Sequence, residues 1–154
     1  MGCWCLWPSR LLPLLVNVAF LGRIPGSRRF SDRARHPDNK LISGILIFRP
    51  ESGLGYFNVD HVCKTILDGV NAEPNLPKLV LLDLSAAPRV DLQSAQALGD
   101  LASEVAAKGI QFQAVEARSS VRDRLRNEGV DAKLGGINRF TSVVDAVEAF
   151  ETNR

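Results

Sequence analysis

Two aspartates frame a short loop: Asp83 closes an apolar run, and Asp91 follows Ser85-Ala86-Ala87-Pro88-Arg89-Val90. Paired carboxylates can hold Mg²⁺ or act as acid and base. No third oxygen ligand or nucleophile stands near them in the chain, so Asp83 reads as a loop-stabilising acceptor and Asp91 as a helix cap. His61 lies one residue outside the apolar positions of its helix and reads as a surface or boundary histidine. Cys63 has no activating partner that the sequence can place, and reads as a small core or boundary residue. Ser52-Gly53-Leu54-Gly55 is too short for a phosphate loop and lacks its Lys-Ser/Thr ending, and Gly135-Gly136 is no GxGxxG fingerprint. The three cysteines, Cys3, Cys5 and Cys63, form no CxxC pair or zinc spacing, and an odd number argues against a disulfide framework. The sequence therefore predicts no enzyme, no metal and no cofactor, in a reduced, cytosolic compartment. A small hydrolase would lose turnover on Asp91→Asn, but only the two aspartates speak for one.

These residues must be positioned by a chain of 154 residues, enough for one core plus a tail. The net charge of +2 conceals an asymmetry. Residues 1–40 carry 7 Lys/Arg against 2 Asp, whereas residues 41–154 carry 12 against 15 acidic groups. The division predicted is a leader and basic linker over 1–40 and a domain over 41–154. A mildly acidic body argues against nucleic acid as a partner. Residues 11–20 are apolar apart from Asn17 and are broken by Pro13. They fall short of the roughly 20 residues that span a bilayer. With only Arg10 before them and no A-x-A site after, they do not read as a signal peptide. Val16, Val18 and Phe20 alternate instead, predicting a short strand at about 16–21. Residues 23–40 read first as a solvated linker; the sharper reading, a basic juxtamembrane segment held near anionic lipid, is compatible with it. Residues 1–15 differ from the rest, and no role is assigned to them.

In the body, ISGILIF (42–48) predicts a strand and Gly55-Tyr56-Phe57 a brief extended piece. Asn58 is placed as the N-cap of a helix whose face is Val59, Val62, Ile66 and Val70. Leu79 to Leu84 is nearly all apolar, which suits a central strand buried on both faces of a mostly parallel sheet. After Asp91, the residues Leu98, Leu101, Ala102 and Val105 repeat at helical spacing, and Gly109 follows the helix. Ile110, Phe112 and Ala114 alternate as a strand nearer the sheet edge. Ser120 with Asp123 predicts a capped third helix bearing Val121 and Leu125, with Arg118, Arg122, Arg124 and Arg126 as a solvated outer surface. Ser142 with Asp145 predicts a last helix bearing Val144, Val147 and Phe150. The order strand, strand, helix, strand, helix, strand, helix, helix predicts an α/β domain. In such folds the corner from strand through loop to helix start is where ligands and partners bind.

Residues 42–150 resemble the STAS domain, which is shared by SulP-type sulfate permeases and bacterial anti-sigma-factor antagonists. The resemblance lies in GYFN (55–58), LVLLDLSAAPRVD (79–91), KGI (108–110), SSVRDRL (119–125) and VVDAVEAF (143–150). It implies a STAS-like mixed, mostly parallel sheet of four or five strands packed with about four helices. VAFLGRIPG (18–26) and the run from His36 to Ser52 resemble the segment joining the last membrane span of bacterial SulP transporters to this domain. In the antagonists the helix start reads roughly D-S-S-G, with a phosphorylatable Ser two residues after the Asp. Here it reads Asp91-Leu92-Gln93-Ser94, so Gln93 holds the switch position and Ser94 offers the remaining hydroxyl.

The resemblance implies a non-catalytic regulatory and interaction module of a SulP-family sulfate or anion transporter. Its location would be cytoplasmic, or on the cytoplasmic face of the inner membrane. Without membrane spans, such a chain would be a fragment or truncated product that moves no ion itself. The expected contact residues are Asn58, Ser85, Asp91, Leu92, Gln93 and Ser94. The expected partner is a transporter's transmembrane domain or another regulatory protein, and an anion or nucleotide phosphate is a further ligand for the helix end. The alternative is a stand-alone anti-sigma-factor antagonist that binds a serine kinase and is phosphorylated at Ser94.

Overall fold

The computed structural model describes residues 17–154. The start of the predicted first strand, the apolar residues before Asn17, and Cys3 and Cys5 lie outside the described residues. In chain order the elements are β1 (Val18–Arg23), β2 (Phe30–Asp32), β3 (Ile45–Pro50), α1 (Val59–Asn71), β4 (Leu79–Asp83) and α2 (Leu92–Ala107). They continue with β5 (Gln111–Val115), α3 (Ser119–Asn127), a 3-10 turn (Ala132–Leu134) and α4 (Val143–Thr152). Five strands form one mixed sheet in the order β2-β1-β3-β4-β5. β3, β4 and β5 run parallel, while β1 is antiparallel to both β3 and β2.

Why β4 is a continuous apolar run follows from its place. It pairs on both edges, and helices cover both of its faces. Successive strand side chains point to opposite faces. Val80 and Leu82 accordingly join the core with Leu46, Phe48, Phe112 and the inner stripes of α1, α2 and α3. Leu79 and Leu81 join the smaller core with Ile45, Ile47 and α4. The stripe Val59, Val62, Ile66 and Val70 is buried as its spacing predicts.

Four local expectations change. The basic stretch after β1 contains β2, a three-residue strand too short to show a period, which β1 recruits by pairing Leu21 with Asp32. The stretch is also tied to α4 by the ion pair of Arg28 with Glu148, and Arg23, the last residue of β1, pairs with Glu151. Gly55 to Asn58 is a turn rather than an extended piece, because the N–H groups of Asn58 and Val59 both donate to the Gly55 carbonyl. α3 begins at Ser119, so Ser120 already lies in its first turn and makes no capping box with Asp123; Arg118 is the N-cap. α4 buries Val143, Ala146 and Val147, leaving Val144 and Phe150 half-buried, since it meets the sheet one residue round from the predicted stripe. Its Ser142–Asp145 capping box forms as predicted.

The far side of β5 is closed by the segment after the 3-10 turn. Gly135 adopts a left-handed φ of 82°, and a Cβ there would stand 3.2 Å from the Phe112 carbonyl oxygen. A side chain is thus excluded on two grounds, space and backbone conformation.

Truncation of the inner sheet layer should be costly. Leu82→Ala is expected to lower stability by about 2–5 kcal/mol in urea unfolding. Leu76→Ala, on an exposed loop residue, should stay within about 0.5 kcal/mol of the parent.

Candidate partner-contact site

The loops that leave β3 and β4 run side by side at the carboxyl ends of those strands. Leu54 and Val90 form a parallel bridge: the Leu54 N–H donates to the Arg89 carbonyl at 2.8 Å, and the Asp91 N–H donates to the Leu54 carbonyl at 3.2 Å. Both bridge residues are buried, so the two loops share an apolar pin as well as two hydrogen bonds.

Asp91 completes the join. Its Oδ1 accepts from the Ser94 N–H at 2.8 Å, the capping bond expected of it. Its Oδ2 accepts from the Tyr56 N–H at 2.9 Å, across 35 residues of chain. Burial acts to raise the pKa of its carboxyl, but hydrogen bonding from Ser94, the Tyr56 N–H and the charge of Arg124 outweigh it and hold the group below its ordinary value.

Asn58 does not cap α1 with its side chain. It turns back into its own loop, where Oδ1 accepts from the Gly55 N–H at 2.9 Å and Nδ2 donates to the Gly53 carbonyl at 3.0 Å. The residue is buried, and both ends of its amide are satisfied. The tight turn that results throws Tyr56 and Phe57 outward, 69% and 67% exposed, with rings edge to face at 5.6 Å. At Gly55 a Cβ would come within 2.7 Å of the Phe57 ring, so a larger residue would have to push that exposed ring aside.

The predicted contact residues divide. Asp91, half-exposed, and Leu92 and Gln93, exposed, sit together at the start of α2 beside Tyr56. Ser85 is exposed at the other end of the loop, where its N–H donates to Asp83 Oδ1. Ser94 is fully buried, and its Oγ has no hydrogen-bond partner. Sequence reasoning missed Phe57 and Arg124, which line a cleft of about 1020 Å³ together with Asn58, Arg89 and Asp91. Two adjacent aromatics outside any helical or strand period were the available signal for Tyr56 and Phe57.

The Asp83 carboxylate caps its own loop, and its charged neighbour is Glu116 rather than Asp91. Partial burial, then the charge of Asp83, push the Glu116 carboxyl up. Burial and then Asp60, Glu104 and Asp100 raise the Cys63 thiol to about 11, far from a thiolate nucleophile at neutral pH. Among the described residues no three His, Cys, Asp or Glu side chains group as metal ligands, and no helix is long and apolar enough to cross a membrane.

The family described as STAS domain matches residues 36–146. "Probable sulfate transporter Rv1739c" of Mycobacterium tuberculosis is 28% identical over 145 residues, covering 91% of this chain and 26% of that protein. "Probable sulfate transporter 3.5" of Arabidopsis thaliana is 29% identical over 133 residues, covering 86% of this chain and 21% of that protein. The chain thus spans about a quarter of the length of these curated relatives. Among solved structures, the murine Slc26a9 anion transporter in its inward-facing state superposes with a TM-score of 0.81 at 19% identity, covering 98% of this chain and 25% of that one. The SulP transporter STAS domain from Vibrio cholerae superposes at 0.62 and 18% identity, covering 79% and 94%. The anti-sigma-factor antagonist SpoIIAA gives 0.60 at 10% identity, covering 74% and 94%. At these identities the superpositions establish the fold, which is the predicted mixed sheet with four helices.

Two substitutions test the join. Asn58→Ala strands the buried N–H of Gly55 and the half-buried carbonyl of Gly53, and should cost about 1–3 kcal/mol in chemical denaturation. Asp91→Ala should cost about 0.5–2 kcal/mol at neutral pH. Because the folded carboxyl titrates below its unfolded value, the Asp91 contribution is present above the unfolded pKa and is lost as pH falls through the folded one. Stability curves of Asp91→Ala and the parent should therefore converge on acidification.

Proposed function

The chain belongs to the STAS domain family, and from that premise we propose that it is the regulatory contact module of a SulP-type sulfate or anion transporter. STAS domains are related both to sulfate transporters and to anti-sigma-factor antagonists, as the relatives and fold neighbours are. The observation that carries the transporter reading is the outward corner at Asp91. There two aromatic rings and Leu92 are held clear of the core by a loop that is hydrogen-bonded at both ends. Such a corner suits docking, since aromatic anchors on a rigid support give contact area at small entropic cost.

On this reading the module works by touch and not by turnover, on the cytoplasmic side of the membrane. Its partner is the transmembrane domain of a transporter or another regulatory protein, and not nucleic acid. An anion or nucleotide phosphate would take the Arg89 and Arg124 side of the cleft, because Asp91 already supplies the negative charge at the end of α2. The antagonist reading relies on Ser94, whose hydroxyl is buried and must emerge before a kinase can reach it.

Binding to the nanodisc-held membrane domain of a matching sulfate transporter tests the first reading. Phe57→Ser combined with Leu92→Ser should weaken it about tenfold or more; an unchanged affinity would count against the corner. Incubation with a cognate serine kinase followed by mass spectrometry tests the second. The expected result is no phosphate at Ser94, and phosphate there would favour the antagonist reading.

A further inference from the structure

The cleft beside Asp91 has an apolar floor. Leu54, Val90 and Val121 line it and are buried, while Phe57 and Pro88 line it and are exposed. Its volume of about 1020 Å³ is that of a site able to enclose a whole small molecule. Such sites run to about 300–1,000 Å³, with mainly apolar walls and a few polar groups that fix the ligand's orientation.

Among the described residues, four charged side chains line the cleft, Glu51, Arg89, Asp91 and Arg124, and they are not equally available. Glu51 is held by Arg49 at 2.9 Å, and Asp91 accepts from the N–H groups of Tyr56 and Ser94. Arg89 has no ion-pair partner among the described residues, and Arg124 reaches Glu128 at 3.7 Å. The arginines can therefore turn to a ligand, whereas the carboxylates are already engaged. The same carboxylates limit the charge that the cleft accepts. One added negative charge is met by arginine, but the several charges of a nucleoside polyphosphate would also stand against Glu51 and Asp91.

We propose that the cleft binds a small amphipathic monoanion, an aromatic body bearing one carboxylate or sulfonate. The body lies on the floor of Leu54, Val90 and Val121 beside the Phe57 ring, and the anionic group faces Arg89 and Arg124. Arginine suits that end, because its planar fork can pair with two oxygens of one anionic group. The proposal rests on the preceding reading for the arginine side of the cleft alone, and not on docking to a transporter.

Anilinonaphthalenesulfonate, an aromatic body with one sulfonate, is the probe, and its uncharged parent phenylnaphthylamine is the control. Fluorescence titration of the full chain should give one site for the sulfonate, with the uncharged compound bound about tenfold or more weakly. Naphthoate should displace the sulfonate, and ATP or inorganic sulfate at the same concentration should not. Arg89→Gln with Arg124→Gln should weaken the sulfonate about tenfold and leave the uncharged compound as in the parent, with the circular dichroism unchanged. Phe57→Ser should weaken both compounds, and Leu76→Ser neither. Absence of binding would overturn the proposal, as would equal affinity for the two compounds or a sulfonate site that survives the arginine double substitution. Displacement by ATP at lower concentration than by naphthoate would overturn it in favour of a nucleotide site. Affinity for the transporter membrane domain is a separate measurement, so either proposal can fail while the other stands.

Discussion

The two oxygens of Asp91 serve two segments that are distant in sequence. One satisfies an orphan N–H of the helix that Asp91 begins, and the other holds the N–H of Tyr56 in the loop after β3. Charge-assisted hydrogen bonds of this kind are stronger than neutral ones. A carboxylate is the fitting group, since each of its oxygens can serve a different donor. The turn at Gly55, the outward pose of Tyr56 and Phe57, and the walls of the cleft all depend on this clamp and on the Leu54–Val90 bridge beside it.

The clamp is effective because what lies beneath it is rigid. β3 and β4 are adjacent parallel strands, sealed by helices on both faces, so their outgoing loops start from fixed points. The crevice beyond the carboxyl ends of such strands is where open α/β sheets collect their ligands and partners. Here that position is furnished with the Phe57 ring, Arg89 and Arg124, while the Asp83 carboxylate holds its own loop.

Much of this was readable in the chain itself. The apolar run of β4, the stripe of α1, the Asp91 cap and the Ser142–Asp145 box are local signals, written within a few residues, and each formed as read. What escaped reading depends on partners far away in sequence. β2 exists because β1 pairs with it, and three residues carry no period of their own. Asn58 has the residue type of an N-cap, yet Gly53 and Gly55 claim both ends of its amide. Ser94 sits one turn into α2, and only the packing of that helix on the sheet decides that its hydroxyl faces inward. The second bond of Asp91, to Tyr56, leaves no mark in the sequence near either residue.

Gly135 has an effect beyond its own turn. By lying over the outer carbonyl of Phe112 it takes away the template on which another strand could zip. The opposite margin, β2, is only three residues long and offers little more. A strand added along the outer side of β5 would therefore meet that turn before it could pair.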